Sequence, residues 1–332
     1  MYLTGGRKEQ MSIVAAVPSQ VQAWYLVCRG AEVRPGKILS REFLGRPIIL
    51  FRDSGGVVRA LAAHCAHMGA HLGGGAVVGD HVQCPLHHWE YDGNGICRRI
   101  PDSAAIPCGA RQFAYPVSER YGGVFLFNGP APLFPSPSFS GFAETDLRVE
   151  HVPPILLRCP WFAIVANGYD VRHLKTVHKR ELREPPSIIQ LDRYRLQMRY
   201  VSRVTGDALP DRFMRWLSRD HIVATIMCWG GTVFTAEVDL GRVRSALLLS
   251  VLPTDRGTEV SLACGVRRTK VGIADTVRVL VARWLCLRFF LPDVAVLDGI
   301  RFSFRASVAE DECLQRYFEF LRDLPPVRSA QR

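Results

Sequence analysis

The spacing of hydrophobic residues divides the chain into two stretches of different character. Between residues 20 and 129, short apolar runs are separated by Gly and Asp turns, which is the pattern of a small all-β unit. The clearest of these runs cover residues 24–28, 47–51, 57–61 and 124–127. Four prolines then fall within residues 130–140, where they stiffen the chain and prevent regular strand pairing.

The second stretch mixes helical and strand periodicity. Residues 167–179 predict a helix, because they contain no proline and only one early glycine. Alternating apolar residues farther on predict strands of an antiparallel sheet, and the polar Ser202 marks where the first alternation lapses. The predicted strands are 194–200, 222–228, 232–238, 245–252 and 259–266, and two closing helices are predicted at about 273–290 and 308–323.

Composition and charge limit the classes of protein that fit. The chain has 332 residues, 48% of them hydrophobic and 22% charged, which is enough for two ordinary globular domains. Its net charge of +11 favours an acidic partner. A nucleic-acid interface would favour clustered basic residues with interleaved aromatics, whereas the basic residues here are scattered. We therefore predict no nucleic-acid partner and interpret the charge as a docking face for an acidic protein.

The start of the chain carries no clear targeting signal. Its apolar run at residues 13–17 is too short for a secretory leader, and no window reaches the roughly 18 uncharged apolar residues of a membrane span. Residues 1–19 are interpreted as an N-terminal extension, in which Met11 is an alternative start. We expect a cytoplasmic protein whose thiols are free to bind metal.

Two short motifs place cysteine and histidine at a spacing typical of metal sites. The pattern is Cys65-x-His67, sixteen residues, then Cys84-x-x-His87. Tetrahedral zinc is the simplest alternative, but zinc fingers usually pair Cys with Cys and His with His. One ligand of each kind per loop suits two inequivalent irons, as in a Rieske [2Fe–2S] centre, where two Cys hold one iron and two His the other.

The absence of two further cysteines in the loops narrows the type of Rieske protein that the motif resembles. High-potential Rieske proteins add a disulfide between the two loops, but the corresponding positions here are Ala70 and Leu86. The motif therefore resembles the ferredoxin and oxygenase branch, in which a glycine commonly fills the position of His88. The remaining cysteines, which we predict to be small buried residues, are Cys28, Cys97, Cys108, Cys159, Cys228, Cys264, Cys286 and Cys313.

A second cluster of polar residues lies in the predicted helix at 167–179. It contains Asn167, Asp170, His173 and His178. Asp170 and His173 share a helical face, but His178 would lie about 140° around the axis from His173. Either the helix bends or a metal lies off its end. Two surface histidines on a polar helix are the alternative.

Together with the Cys/His loops, Asn-x-x-Asp-x-x-His-x4-His resembles the mononuclear iron site of Rieske non-haem iron oxygenases. The resemblance implies that His173, His178 and a carboxylate from a C-terminal helix hold iron and leave coordination positions open. Asp293 fits the carboxylate position better, because an aromatic pair precedes it, and Asp298 is the alternative.

The resemblance also implies roles for two residues before the histidines. Asp170 resembles the carboxylate that bridges a Rieske histidine of one subunit and an iron-ligating histidine of the next. The alternative for Asp170 is an ion pair with Arg172 or Lys175. Asn167 matches a position near the iron, and the alternative for it is a helix N-cap.

The family resemblance covers roughly residues 20–325 and implies an α+β protein. An all-β Rieske domain at 20–130 would be followed by a Pro-rich linker at 131–150 and a catalytic domain at 151–332. That domain is expected to have the helix-grip fold, an antiparallel sheet wrapped around a long helix.

The same resemblance implies a homotrimer of single subunits with a [2Fe–2S] cluster and a mononuclear Fe(II). Electrons from a ferredoxin or flavin reductase, together with O2, would oxidise a small organic substrate by hydroxylation, dealkylation, desaturation or N-oxygenation. We predict that Met227, Trp229 and Phe234 line the substrate pocket or pack in the core. The rival functions are a Rieske-type electron carrier without oxygenase activity and a structural zinc protein.

Overall fold

The computed structural model describes residues 17–304 and 308–327, so the predicted N-terminal extension lies almost wholly outside the described residues. The chain divides into a first compact unit at residues 25–136 and a second that begins at residue 137 and includes the segment up to Trp24. None of the described helices is both long and apolar enough to cross a membrane.

The first unit is built from short β-strands. These are β1 (Trp24–Arg29), β2 (Leu39–Phe43), β3 (Arg46–Arg52), β4 (Val58–Ala62), β5 (Ala76–Val78), β6 (His81–Gln83), β7 (Glu90–Tyr91), β8 (Cys97–Arg99), β9 (Ala114–Tyr115), β10 (Val117–Arg120) and β11 (Gly123–Phe127). They form a three-stranded sheet in the order β1-β11-β10 and two antiparallel four-stranded sheets, β2-β3-β4-β9 and β5-β6-β7-β8. The predicted all-β unit is therefore confirmed.

The core of the first unit reaches directly to the two Cys/His loops. Phe51, Leu61 and Tyr91 are fully buried, and they belong to the same apolar cluster as Cys65 and Cys84. Because both cysteines are anchored in this cluster, the loops that carry them are fixed relative to the strands.

The second unit combines a large sheet with five helices among the described residues. The helices are α1 (Trp161–Ala166), α2 (Val171–Thr176), α3 (Leu209–Ser218), α4 (Gly272–Leu297) and α5 (Glu312–Arg322). The strands are β12 (Leu147–Leu157), β13 (Arg180–Leu182), β14 (Ser187–Asp192), β15 (Arg195–Val204), β16 (Ile222–Trp229), β17 (Val233–Asp239), β18 (Arg244–Thr254) and β19 (Gly257–Arg267). The sheet is antiparallel in the order β12-β19-β18-β17-β16-β15-β13, and β14 also pairs with β15. The predicted α+β class is confirmed.

The long helix α4 packs against β12 and β19, and it extends farther than the predicted 273–290. It continues through Pro292 to Leu297. A proline inside a helix removes one backbone hydrogen bond, but the buried side chains of Phe290, Asp293 and Leu297 anchor the last two turns. The continuation matters for function, because it places Asp293 on a helix that is held against the sheet.

Two other expectations need correction. β15 does not lapse at Ser202 but continues to Val204, because Ser202 pairs with Leu182 on one side and Ile222 on the other. Cys108 is exposed rather than buried, since it lies in a loop of exposed residues. Of the other seven cysteines predicted to be buried, Cys286 is half-buried and the remaining six are buried.

Candidate metal centres

The first Cys/His loop follows β4 and is shaped by backbone hydrogen bonds around Cys65. The Cys65 amide donates to the Ala70 carbonyl at 2.9 Å, and the Gly69 amide donates to the Cys65 carbonyl at 2.8 Å. Gly69 has φ +74°, a left-handed conformation that glycine adopts without steric cost. The Cys65 sulfur lies 3.1 Å from the Tyr91 hydroxyl, so the thiol points into the core.

The second loop follows β6 and has a similar construction. The Cys84 amide donates to the Trp89 carbonyl at 2.8 Å, and the His88 amide donates to the Cys84 carbonyl at 3.1 Å. His88 has φ +57°, which explains in physical terms why this position suits a glycine. Burial raises the pKa of the Cys84 thiol, and the amides of Leu86 and His87 oppose that shift by donating to its sulfur.

The two loops bring their four predicted ligands together in two layers. The Cys65 and Cys84 side chains are buried, whereas the His67 and His87 side chains are exposed. The Nδ1 atoms of His67 and His87 lie 3.1 Å apart, and the His67 ring stacks on Trp89 at 4.5 Å between centroids. Two thiols beneath two imidazoles are the donor set for a cluster with one inner and one outer iron.

The neighbouring histidines that fall outside the ligand pattern have local partners. Nδ1 of His64 lies 3.0 Å from the Gly69 carbonyl, and Nδ1 of His71 accepts from the Gly73 amide at 3.0 Å. Nδ1 of His88 lies 3.1 Å from Oε1 of Gln83. These contacts fix their rings within their own loops, away from the converging pair.

The predicted helix at 167–179 is broken at Asp170. Residues Asn167–Tyr169 form a 3-10 turn, Asp170 is extended at φ −90° and ψ 98°, and α2 then begins at Val171. The Asp170 carboxylate caps α2 by accepting from the His173 amide at 2.9 Å. His173 thus lies in α2 and His178 beyond its end, which is the bend that the five-residue spacing required.

His173, His178 and Asp293 converge at one buried point. Nε2 of His173 lies 3.0 Å from Nε2 of His178 and 2.8 Å from Oδ1 of Asp293. Nε2 of His178 lies 3.0 Å from the same oxygen. The three side chains could hold a single metal ion, and three ligands of this kind on one side leave other positions open.

The surroundings of this triad fix its geometry. The His178 ring stacks on Phe289, one turn before Asp293 in α4, with 3.8 Å between centroids. Burial acts to raise the pKa of Asp293, but hydrogen bonds from His173 and His178 outweigh it and the pKa is lowered. The carboxylate is therefore held in its charged form, which is the form that binds a cation.

The alternative carboxylate, Asp298, lies apart from the triad. It accepts hydrogen bonds from the Arg158 backbone at 2.9 Å and from its guanidinium at 2.6 Å. These interactions lower the pKa of Asp298 to about 2. The structure brings Asp293, not Asp298, to the two histidines.

A cavity of about 580 Å³ lies between the sheet and the helices of the second unit, and His178 and Asp293 are part of its wall. Its lining is mostly apolar and includes Phe234 and Asn167. The Nδ2 atom of Asn167 is buried without a hydrogen-bond partner, and the N-cap role belongs to Asp170.

Met227 and Trp229 do not line this cavity. Side chains alternate between the two faces of a strand, and the inward face of β16 carries Ile222, Ala224 and Ile226 instead. Phe289, Tyr200 and Arg180 were not predicted to line the cavity, but they do. The period-two pattern of β15 contained the signal for Tyr200, because Tyr200 and Met198 lie on one face of the strand.

Comparison with protein-family models supports the assignment of the first unit. The model described as "Rieske [2Fe-2S] domain" matches residues 23–110, a range that contains both Cys/His loops.

Curated relatives match part of the chain. Aminopyrrolnitrin oxygenase PrnD of Pseudomonas fluorescens is 33% identical over 171 residues, which are 47% of this chain and 45% of that protein. The oxygenase component of 3-ketosteroid-9-alpha-monooxygenase of Rhodococcus rhodochrous is 34% identical over 35% of this chain and 30% of its own length. Cholesterol 7-desaturase nvd of Bombyx mori is 28% identical over 50% of this chain and 37% of its own length. The matches thus span less than half the length of these relatives.

Solved structures share the fold over most of the chain. NdmA of Pseudomonas putida CBB5 with caffeine superposes with a TM-score of 0.71 at 21% identity, covering 91% of this chain and 90% of that chain. Dicamba monooxygenase bound to dicamba gives a TM-score of 0.68 at 22% identity, with coverages of 91% and 97%. At this level of identity the similarity establishes the fold.

Proposed function

We propose that this chain, which carries a Rieske domain and is a relative of the oxygenase components of Rieske non-haem iron oxygenases, oxidises a small organic substrate with O2. Electrons would come from a ferredoxin or flavin reductase. The observation that carries the proposal is the buried His173, His178 and Asp293 triad at the wall of an apolar cavity. A Rieske-type electron carrier would have no use for either the triad or the cavity.

The donor atoms suit the two iron cofactors of this family. In the Rieske domain, Cys65 and Cys84 would hold the inner iron, and His67 and His87 the outer one. In the second unit, His173, His178 and Asp293 would hold the mononuclear iron. Three donor atoms that all lie within 4.8 Å of one another in a buried site are the arrangement that a single metal ion requires.

Bound there, iron would supply the redox chemistry of O2, and the chain would supply orientation and a dry environment. The apolar cavity walls keep bulk water from the substrate. Phe289 holds the His178 ring in place by stacking, and Asn167 contributes to the cavity lining an Nδ2 atom without a hydrogen-bond partner among the described residues. The outcome of oxidation depends on which substrate atom the cavity holds nearest the triad.

Nitric oxide tests for the mononuclear site without knowledge of the substrate. It binds Fe(II) that has an open coordination position and produces a characteristic iron–nitrosyl EPR signal. We expect this signal from the reduced, iron-loaded protein and expect it to be absent from an Asp293→Ala variant. A protein whose only iron is the Rieske cluster would give no such signal, and that result would favour the electron carrier.

We further propose that the protein acts as a cytoplasmic homotrimer in which Asp170 connects the cluster of one subunit to the triad of the next. Asp170 uses Oδ1 to cap α2, and its other oxygen makes no hydrogen bond within the described residues. That oxygen is available to a histidine of a neighbouring protomer. A shared carboxylate would hold both imidazoles in one tautomer and shorten the path for electrons.

Asp170→Asn separates capping from this bridging role, because the amide oxygen can still cap α2. We expect the iron content and the cluster absorbance to be unchanged. Oxidation of the dithionite-reduced cluster by O2 should be about 10- to 100-fold slower, which is the usual effect of losing a carboxylate that supports a metal ligand. Stopped-flow absorbance measures this rate. Lys175→Ala on the same helix is the matched control, and equal rates in wild type and Asp170→Asn would contradict the proposal.

A further inference from the structure

The cavity wall formed by the sheet is chemically uneven. Most inward positions of its central strands are small or apolar. Examples are Ile222, Ala224, Ile226, Ala236, Val238 and Leu262. A wall of this kind binds hydrocarbon by excluding water and offers it no hydrogen bonds.

Two hydroxyl groups interrupt this wall on β15. Tyr200 and Ser202 are separated by one residue, so their side chains project from the same face about 7 Å apart, and both line the cavity. The Ser202 side chain is buried, and its Oγ has no hydrogen-bond partner in the part of the chain that the structure describes. The Tyr200 hydroxyl likewise makes no hydrogen bond to any described residue. A buried hydroxyl normally has a partner, so the Ser202 Oγ, with the Tyr200 hydroxyl on the same face, points to a ligand.

The basic residues of the cavity lining near the triad make contacts of their own. Arg180 follows His178 by two residues, and its guanidinium lies 3.4 Å from an oxygen of Asp211 and 3.1 Å from the His178 carbonyl. Lys179 donates to the Thr176 carbonyl at 2.8 Å. Arg180 therefore has a carboxylate partner, and the Lys179 ammonium is held by a backbone carbonyl.

The cations that α4 contributes to the cavity lining are engaged as well. Arg278 lies 3.3 Å from an oxygen of Asp275 and donates to the Arg267 carbonyl at 3.0 Å. The Arg288 guanidinium lies over the Trp284 ring, 5.8 Å from its centroid. On β15, the polar groups that face the cavity are therefore the neutral hydroxyls of Tyr200 and Ser202.

From this arrangement we infer that Tyr200 and Ser202 form a subsite for a single neutral oxygen function, a hydroxyl or a keto group, on an otherwise hydrocarbon substrate. The inference rests on the proposed function and adds a substrate class to it. The same cavity is lined by His178 and Asp293. Anchoring the oxygen on β15 would leave the hydrocarbon part of the molecule to face the triad.

Three rigid probes of one shape test the inference: phenanthrene, 2-phenanthrol and phenanthrene-2-carboxylate. Their affinities are measured by equilibrium dialysis of the oxidised, iron-loaded protein under argon, so that no turnover occurs. We expect 2-phenanthrol to bind at least about tenfold more tightly than phenanthrene, because two hydroxyls gain a partner. Of the three probes, phenanthrene-2-carboxylate is expected to bind most weakly.

Substitutions on β15 test which residues produce the preference for 2-phenanthrol over phenanthrene. Tyr200→Phe and Ser202→Ala should each reduce the preference for the phenanthrol about three- to fivefold, and together abolish it, with phenanthrene binding unchanged. Ser218→Ala is the matched control, because Ser218 is also a buried serine with an unpartnered Oγ but does not line the cavity. It should keep the wild-type preference.

Any one of these results would overturn the inference: equal affinities of wild type for phenanthrol and phenanthrene, a preference that survives in the double variant, or tightest binding of the carboxylate. Failure of all three probes to bind would also overturn it. Iron is measured in every sample, so loss of the proposed oxygenase function would show as absent mononuclear iron, independently of the probe affinities.

Discussion

Asp293→Ala is expected to remove about one iron per chain and reduce turnover to background, while leaving the Rieske cluster intact. The substitution deletes the only carboxylate of the triad, the charged group that accepts from both His173 and His178. Losing a group that merely supports a metal ligand weakens metal binding about 10- to 100-fold, so losing a ligand should exceed that. Iron and acid-labile sulfide analysis, with EPR of the reduced cluster, measures the two sites separately.

Asp298→Ala is the matched control for this variant. Asp298 lies five residues farther along the chain, just past the end of α4, and pairs with the exposed Arg158 rather than with the triad. Since exposed ion pairs contribute little net stability, its loss should cost little stability and no iron. If Asp298→Ala removed the iron and Asp293→Ala kept it, the assignment of the carboxylate would be wrong.

Cys84→Ser is expected to abolish the Rieske cluster, with loss of its visible absorbance, its EPR signal and about two irons and two sulfides per chain. The Cys84 sulfur is buried and accepts hydrogen bonds from the amides of Leu86 and His87. A serine hydroxyl would fit in the same place but would not provide the thiolate that binds iron. Binding of a metal centre adds to folding free energy, so the variant should also unfold at lower denaturant concentration. Sulfide analysis and urea unfolding measure the two effects.

Cys97→Ala separates the loss of a ligand from the loss of a buried thiol. Cys97 lies in the same apolar cluster as Cys65 and Cys84 but outside the ligand spacing. The Cys97→Ala variant should therefore keep both acid-labile sulfides of the cluster, although it also loses a buried side chain. Sulfide loss in Cys97→Ala that equalled the loss in Cys84→Ser would contradict the assignment of the cluster ligands.

The geometry of the two candidate sites agrees with the spacing of the Cys/His loops and of the two histidines, whereas Asp293, 120 residues from His173, was expected only from the family resemblance. The Cys/His loops follow short strands of a buried core, so their four side chains had little freedom once the core formed. The five-residue interval between His173 and His178 required a bend, and Asp170 provides it by ending one helical segment and capping the next.

Features that depend on tertiary packing were not predictable in the same way. A proline ordinarily indicates a helix end, but α4 passes through Pro292 because the residues beyond it are buried against the unit. The faces of β16 are both apolar, so the sequence could not show that Ile226 rather than Met227 faces the cavity. Because Ser202 is polar, it suggested that the strand pattern ends there, whereas the side chain is buried in the cavity wall.

The metal and sulfide content of the protein tests the central claim most directly. Purified without oxygen, it should contain about three irons and about two acid-labile sulfides per chain, and its dithionite-reduced form should give the rhombic EPR signal of a Rieske cluster. Zinc without sulfide would contradict the account, because the two Cys/His loops would then form a structural zinc site.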